Sequence, residues 1–336
     1  MLKSLALALP PIRRLHESRA RIMAERDMLA ARLGAAESGT GAAGSPFWHF
    51  HASFDAIGTI RRHALPDPQP DPRFLTNFLG VRIDPAFFPA ILDGKAGTVE
   101  GPPIPANWHA DIAEWAAGLR AVDLARGRFR IIELGCGWGC WLNNLGVAAR
   151  RAGLDVRLIG VEGDAGHVAF ARQAFAANGF SAEQTSLHHA IAGAREGVAL
   201  FPRQEMSGVS WGLEPILEPT EAQRAEAARD GRYEELPVLS LPALAAAEGG
   251  VDVVHIDIQG GEADLLAASI EALRDLAAYV VVGTHSRSIE GRLFDIMSRA
   301  GWVLEIERPA ILQIGAEGPV VVTDGVQGWR NPVLRP

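Results

Sequence analysis

The segment Glu133-Leu-Gly135-Cys136-Gly137-Trp-Gly139 constrains this chain more than any other. It follows an apolar run of strand length, residues 130–134, and opens a helix-length stretch reaching about residue 151. Glycines at alternate positions let the backbone turn sharply and approach a ligand, while the first helical turn leaves N–H groups without intrahelical partners. Further strand-length runs follow at 156–161, 185–191, 251–258, 278–282, 303–306 and 320–322, with helical patterns at 164–178, 262–276 and 288–300. Repeated strand-helix units imply right-handed crossovers. The expected fold is α/β, a doubly wound and mainly parallel sheet, with its ligand at the carboxyl ends of the strands.

The 336 residues exceed what one such domain needs. Residues 12–36 are rich in Ala, Leu, Arg and Glu and read as one helix ending near Gly34, either packed on the main domain or serving as an oligomerisation arm. Residues 37–45 are small and glycine-rich, a linker. An aromatic-rich stretch follows, with Phe47, Trp48, Phe50, Phe54, Phe74, Phe78, Phe87, Phe88, Trp108 and Trp115. These rings suit a small core against the main domain better than a ring-lined groove. The expected organisation is therefore 1–36 helix, 37–127 linker and aromatic-rich helical extension, 128–316 main domain, and 317–336 C-terminal strand and tail. Residues 193–250 break the alternation and read as an insertion with a short hairpin, a helix at 221–229 and a strand near Val238.

A net charge of -8 argues against a nucleic-acid binder, and no apolar run is long enough to span a membrane. Two cysteines four positions apart suggest no disulfide framework, and a cytoplasmic setting fits.

Two cofactor classes use a glycine turn of this kind. A dinucleotide fingerprint wants a third glycine where Cys140 stands and an acid about 20 residues on, whereas Glu162 lies 27 beyond Gly135. A nicotinamide-dependent oxidoreductase is thus the weaker reading. The E-x-G-x-G-x-G form resembles motif I of class I S-adenosylmethionine-dependent methyltransferases. Glu162, at the next strand end beside Gly163, could grip both ribose hydroxyls, although it also suits the N-terminus of the following helix. Asp257 lies within an otherwise apolar strand, where a carboxylate is costly unless paired or used.

With these residues in place, the chain resembles the FkbM-type methyltransferase family. The likeness rests on the Glu133 to Gly139 turn, Val161-Glu162, Leu239-Ser-Leu241, and His255-Ile-Asp257-Ile-Gln259-Gly-Gly-Glu262, which is similar to Lys-Ile-Asp-Val-Glu-Gly-x-Glu. His255 and Gln259 depart from that pattern. Asn77-Phe-Leu-Gly-Val-Arg82 and Asn107-Trp-His-Ala-Asp111 resemble an extension found in a bacterial subgroup.

The resemblance implies a seven-stranded Rossmann-like sheet, S-adenosylmethionine as donor, and O-methylation of a carbohydrate, glycan or other small-molecule hydroxyl. Glu133, Gly135, Cys136, Gly137, Gly139, Glu162, Gly163, Ala190 and Asp257 are then the expected cofactor contacts, with His188 and His189 bordering the adenine as a weaker option. A hydroxyl acceptor benefits from a base, because its proton must leave. His285, just past the fifth strand, is expected as that base, with Asp257 as orienter or second base. His255 reads as a packed histidine. Arg203, Trp211 and Gln259 are expected to touch the acceptor. Asp257, Glu262, Asp264 and His285 could converge on a divalent ion, but clusters this loose are common by chance, and no metal is expected. A noncatalytic scaffold that recruits partners through the N-terminal helix is the third reading.

Overall fold

The computed structural model describes residues 45–316 and 318–336. The helix expected over residues 12–36 lies outside the described residues.

The main sheet has eight strands: β1 (His51–Ala52), β2 (Arg128–Leu134), β3 (Asp155–Glu162), β4 (Thr185–His189), β5 (Val253–Ile256), β6 (Tyr279–Thr284), β7 (Val303–Arg308) and β8 (Gly325–Arg330). Their spatial order is β1-β7-β8-β6-β5-β2-β3-β4. The strands from β6 through β5, β2 and β3 to β4 pair in parallel, while β8 is antiparallel to both β6 and β7. The expected doubly wound α/β fold is what forms. An eighth strand comes from the extension, as β1 adds antiparallel to the β7 edge. Residues 325–330, read from the sequence as part of a C-terminal strand and tail, lie inside this sheet; the 320–322 run instead belongs to a separate hairpin of Ile311–Gly315 and Gly318–Thr323.

Helices α1 (Ala56–His63) and α2 (Ile112–Leu124) belong to the extension, while α3 (Cys140–Arg151), α4 (Ala165–Ala177), α5 (Glu262–Leu273) and α6 (Arg287–Arg299) follow strands of the sheet. The central strands are buried on both faces, as parallel strands covered by helices must be. Helix α3 starts at Gly139 with no side-chain cap of its own. Glu133, on the preceding strand, does this work: its two carboxylate oxygens accept from Trp141 N at 3.2 Å and Leu142 N at 3.0 Å. Helix α4 is capped by Asp164, which accepts from His167 N at 2.9 Å. Asp164→Ala is expected to lower stability by about 1 kcal/mol in urea unfolding.

The extension is fastened to the sheet by hydrogen bonds as well as rings. Ser53 N donates to Glu305 O at 2.7 Å, and Arg120 and Arg330 both hold the Glu305 carboxylate. Phe78, Phe87, Trp108 and Trp115 are buried in one core with α3 and part of the sheet, as expected. The insertion has the helix (Glu221–Asp230) and the strand at Val238 expected from sequence, but its strands join into more than a hairpin. Ile191–Gly193, Gly197–Pro202, Ile216–Leu217 and Tyr233–Ser240 form a second, four-stranded sheet. Alternation along two of its strands puts Ala199 and Phe201, and Leu236 and Val238, into a small core of their own. That gives the extra strands an apolar face to bury.

Candidate functional site

A cavity of about 510 Å³ opens at the carboxyl ends of β2, β3, β5 and β6. This is where strand order reverses about β2 and β5, the place a doubly wound sheet leaves open. The glycine turn, the extension and the insertion close its sides.

Gly135, Gly137 and Gly139 all have positive φ, at 71°, 53° and 75°. A Cβ on Gly135 would stand 2.0 Å from the backbone oxygen of Asp257, and one on Gly137 would stand 2.9 Å from the Trp211 ring. The first glycine lets two strand ends approach; the second leaves room beneath an aromatic cover. Gly139 starts α3 and does not line the cavity. Glu133, Cys136, Gly163 and Ala190 line the cavity. Burial pushes the Glu133 carboxyl up to about 8.

Glu162 is 7% exposed and lines the same space. Its oxygens accept from Gly137 N and Asp164 N, both at 2.8 Å. A carboxylate has about four acceptor sites, so both oxygens keep capacity for a ribose hydroxyl. Glu162 thus braces the glycine turn and the start of α4 while it faces the cavity.

His285 lies just past β6, its Nε2 3.2 Å from Asp257 Oδ1 and 4.0 Å from Asp324 Oδ2, and its Nδ1 2.8 Å from Glu262 Oε1. Burial opposes charge on this imidazole, but the adjacent carboxylates of Asp257 and Glu262 outweigh it and push its pKa well above the usual histidine value. Burial would raise Asp257, yet the His285 hydrogen bond and charge hold it below the usual carboxylate value. Gln259, at φ 60°, donates to Asp257 Oδ1 at 3.0 Å. Glu262 is fully buried at the start of α5; its Oε1 accepts from Ile258 N and Gly260 N, whereas its Oε2 has no hydrogen-bond partner. Asp257, Glu262 and His285 offer ligand atoms within 4.8 Å of one another and could hold a divalent ion. Asp264, grouped with them in the sequence reading, turns outward to Arg292 and is 76% exposed, because it lies on the solvent side of α5.

Trp211 stacks between Phe88, at 4.0 Å, and His167, at 3.9 Å with planes 4° apart. Its Nε1 is buried without a partner. Of the three expected acceptor residues, Trp211 and Gln259 line the cavity and Arg203 does not. Its side chain is 57% exposed and pairs with Glu234 across the small sheet, where strand pairing places it. His188 and His189 are also absent from the lining: His188 bonds Ser186, and His189 Nε2 contacts Gly163 O at 3.0 Å.

The extension contributes wall residues that carried no chemical signal in sequence. Glu114, on α2, pairs with His255 at 3.0 Å, so the packed histidine is also a cavity residue. His109 Nε2 stands 2.6 Å from Cys140 Sγ. Burial pushes the Cys140 thiol well up, which rules it out as a ready nucleophile. Phe88 and Trp108 are both core and wall. The Asn107 to Asp111 motif was the one hint, since it flags His109 without saying what that residue faces.

No family model matches this chain. Among solved structures it is distantly similar to methyltransferase FkbM from Methylobacillus flagellatus KT, at 12% identity and TM-score 0.39 over 65% of this chain and 54% of that one. It is likewise similar to an O-methyltransferase from Bacillus cereus in complex with SAH, at 13% identity and TM-score 0.34 over 64% of this chain and 78% of that one. A far nearer relative is the "Putative methyltransferase" of Jannaschia sp. (strain CCS1), 44% identical over 263 residues that cover 78% of this chain and 94% of that protein. With that identity over nearly the whole relative, and with the sheet order and glycine turn described above, this chain belongs to the methyltransferases of the class I fold.

Proposed function

We propose that this methyltransferase is of the FkbM type and uses S-adenosylmethionine to O-methylate a hydroxyl of a carbohydrate, glycan or other small metabolite in the cytoplasm. The observation that carries the reading is the His285 imidazole, held by Asp257 and Glu262 in the same cavity as the glycine turn and Glu162.

The residues fit the donor. Gly135 and Gly137 keep the turn free of side-chain bulk, Glu162 reaches a ribose, and the buried Trp211 Nε1 still has a hydrogen bond to give. When bound, S-adenosylmethionine supplies an electrophilic methyl group on a sulfonium centre. The protein's tasks are then alignment and proton removal. Glu262 fixes the His285 ring at Nδ1, neutral His285 takes the acceptor's hydroxyl proton at Nε2, and Asp257, beside that nitrogen, stabilises the imidazolium that forms. Trp211, its faces covered by Phe88 and His167, excludes water together with Phe88 and Trp108.

Calorimetry with S-adenosylmethionine tests the reading. The intact protein should bind it, and Gly137→Val should weaken binding at least about tenfold, because the added side chain meets Trp211 and strains a positive-φ position. Absence of binding, or binding of NAD in its place, sinks the proposal. Trp211→Ala should weaken S-adenosylmethionine binding by about fivefold through lost stacking and cover; unchanged affinity would remove Trp211 from the donor site.

A further inference from the structure

Among the described residues, no lysine lines the cavity and Arg308 is the sole arginine that does. That guanidinium is 1% exposed and is engaged by Asp111, by Pro309 O and by Asp324 O. The lining histidines face groups of the wall itself: His255 meets Glu114, His285 meets Asp257, His167 lies 3.6 Å from Glu162, and His109 meets Cys140. Five backbone donors that would suit an anion are also taken by the chain's own carboxylates. Gly137 N serves Glu162, Trp141 N and Leu142 N serve Glu133, and Ile258 N and Gly260 N serve Glu262. Meanwhile Asp257 and Asp324, which flank His285 Nε2 and line the cavity, keep 44% and 43% of their side-chain surface exposed.

The cavity therefore meets an incoming group with negative charge. An anion brought in would shed water, find its positive partners already matched, and approach two carboxylates at short range in a medium less polarisable than water. A neutral hydroxylated ring loses nothing of this kind, and an ammonium gains both carboxylates.

We infer that the acceptor of this enzyme is uncharged or cationic, and that the cavity rejects phosphorylated and carboxylated acceptors. The inference rests on the cavity being the methyl-transfer site.

It is tested by calorimetry on the intact protein saturated with S-adenosylhomocysteine, titrated with four matched probes: a methyl glucopyranoside, its 2-amino-2-deoxy analogue, its 6-phosphate and the corresponding uronate. The first two are expected to bind at least about tenfold more tightly than the last two, with a gap that narrows as salt rises. Asp324→Lys should narrow it at least about fivefold by placing a cation on the same wall. Phosphate or uronate binding as tight as the neutral parent overturns the inference. So does failure of all four probes to bind the S-adenosylhomocysteine-loaded protein. Failure of S-adenosylhomocysteine and S-adenosylmethionine themselves to bind would instead overturn the proposed function, which keeps the two outcomes separate.

Discussion

His285→Ala is expected to lower kcat at least about 100-fold, the scale of a positioned acid-base group, while S-adenosylmethionine affinity stays within about threefold. The separation follows from geometry. His285 is not itself among the donor's expected contacts, which lie on the glycine turn, at Glu162, Gly163 and Ala190, and at its neighbour Asp257. His285→Asn serves as a second variant: it keeps a polar group near Asp257 and Glu262 without the basicity, and should be as slow as the alanine form. A variant retaining more than about a third of wild-type kcat would remove His285 from the chemistry and leave Asp257 as the candidate base.

The pH dependence has a defined sign. His285 has a raised pKa in the folded protein, so its protonated form contributes stability that is fully present below the unfolded value of about 6.5 and lost as pH rises through the raised folded value. Catalysis runs the other way, since only the neutral imidazole can accept a proton. The wild type should therefore gain kcat and lose part of its Tm advantage over His285→Ala across the same alkaline window. Rate profiles and thermal melts at matched pH would show it; a kcat falling through that window contradicts the assignment.

Asp111→Ala is expected to cost about 4 kcal/mol of stability in urea unfolding, a large part of what a domain has. Asp111 Oδ1 caps α2 by accepting from Ala113 N at 2.8 Å, and Oδ2 accepts from Arg308 Nε at 2.5 Å, with both side chains 1% exposed. Removing the carboxylate leaves a helix end uncapped and a guanidinium buried without its counter-charge. The penalty lies in that stranded charge, so the double variant Asp111→Ala/Arg308→Met should be less destabilised than Asp111→Ala alone. A single-variant loss under about 1 kcal/mol would show that the pair does not fasten the extension to the sheet.

The order of strands and helices could be read in advance because it depends on local quantities: apolar run length, helical spacing and glycine at turns. The insertion was underestimated because two-residue strands such as Ile216–Leu217 carry almost no pattern. Strand β8 was missed because Gly325–Arg330, with two glycines and a glutamine, lacks the β-branched run that marks a central strand.

The site divides along the same line. Sequence by itself determined the α/β fold, the glycine turn, Glu162 at a strand end, Asp257 at the carboxyl end of a strand that the structure closes at Ile256, and His285 just past the neighbouring one, since topology puts those positions at one edge of the sheet. Tertiary structure decided what each side chain meets. It turned Arg203 and Asp264 out to other partners, and brought Glu114 to His255 across 141 residues and Asp111 to Arg308 across 197. Such pairs depend on which surfaces pack, and burial then makes an unpaired charge too costly to keep. Period and turn chemistry are written along the chain; the partner that neutralises a buried charge is chosen only when distant segments close around it.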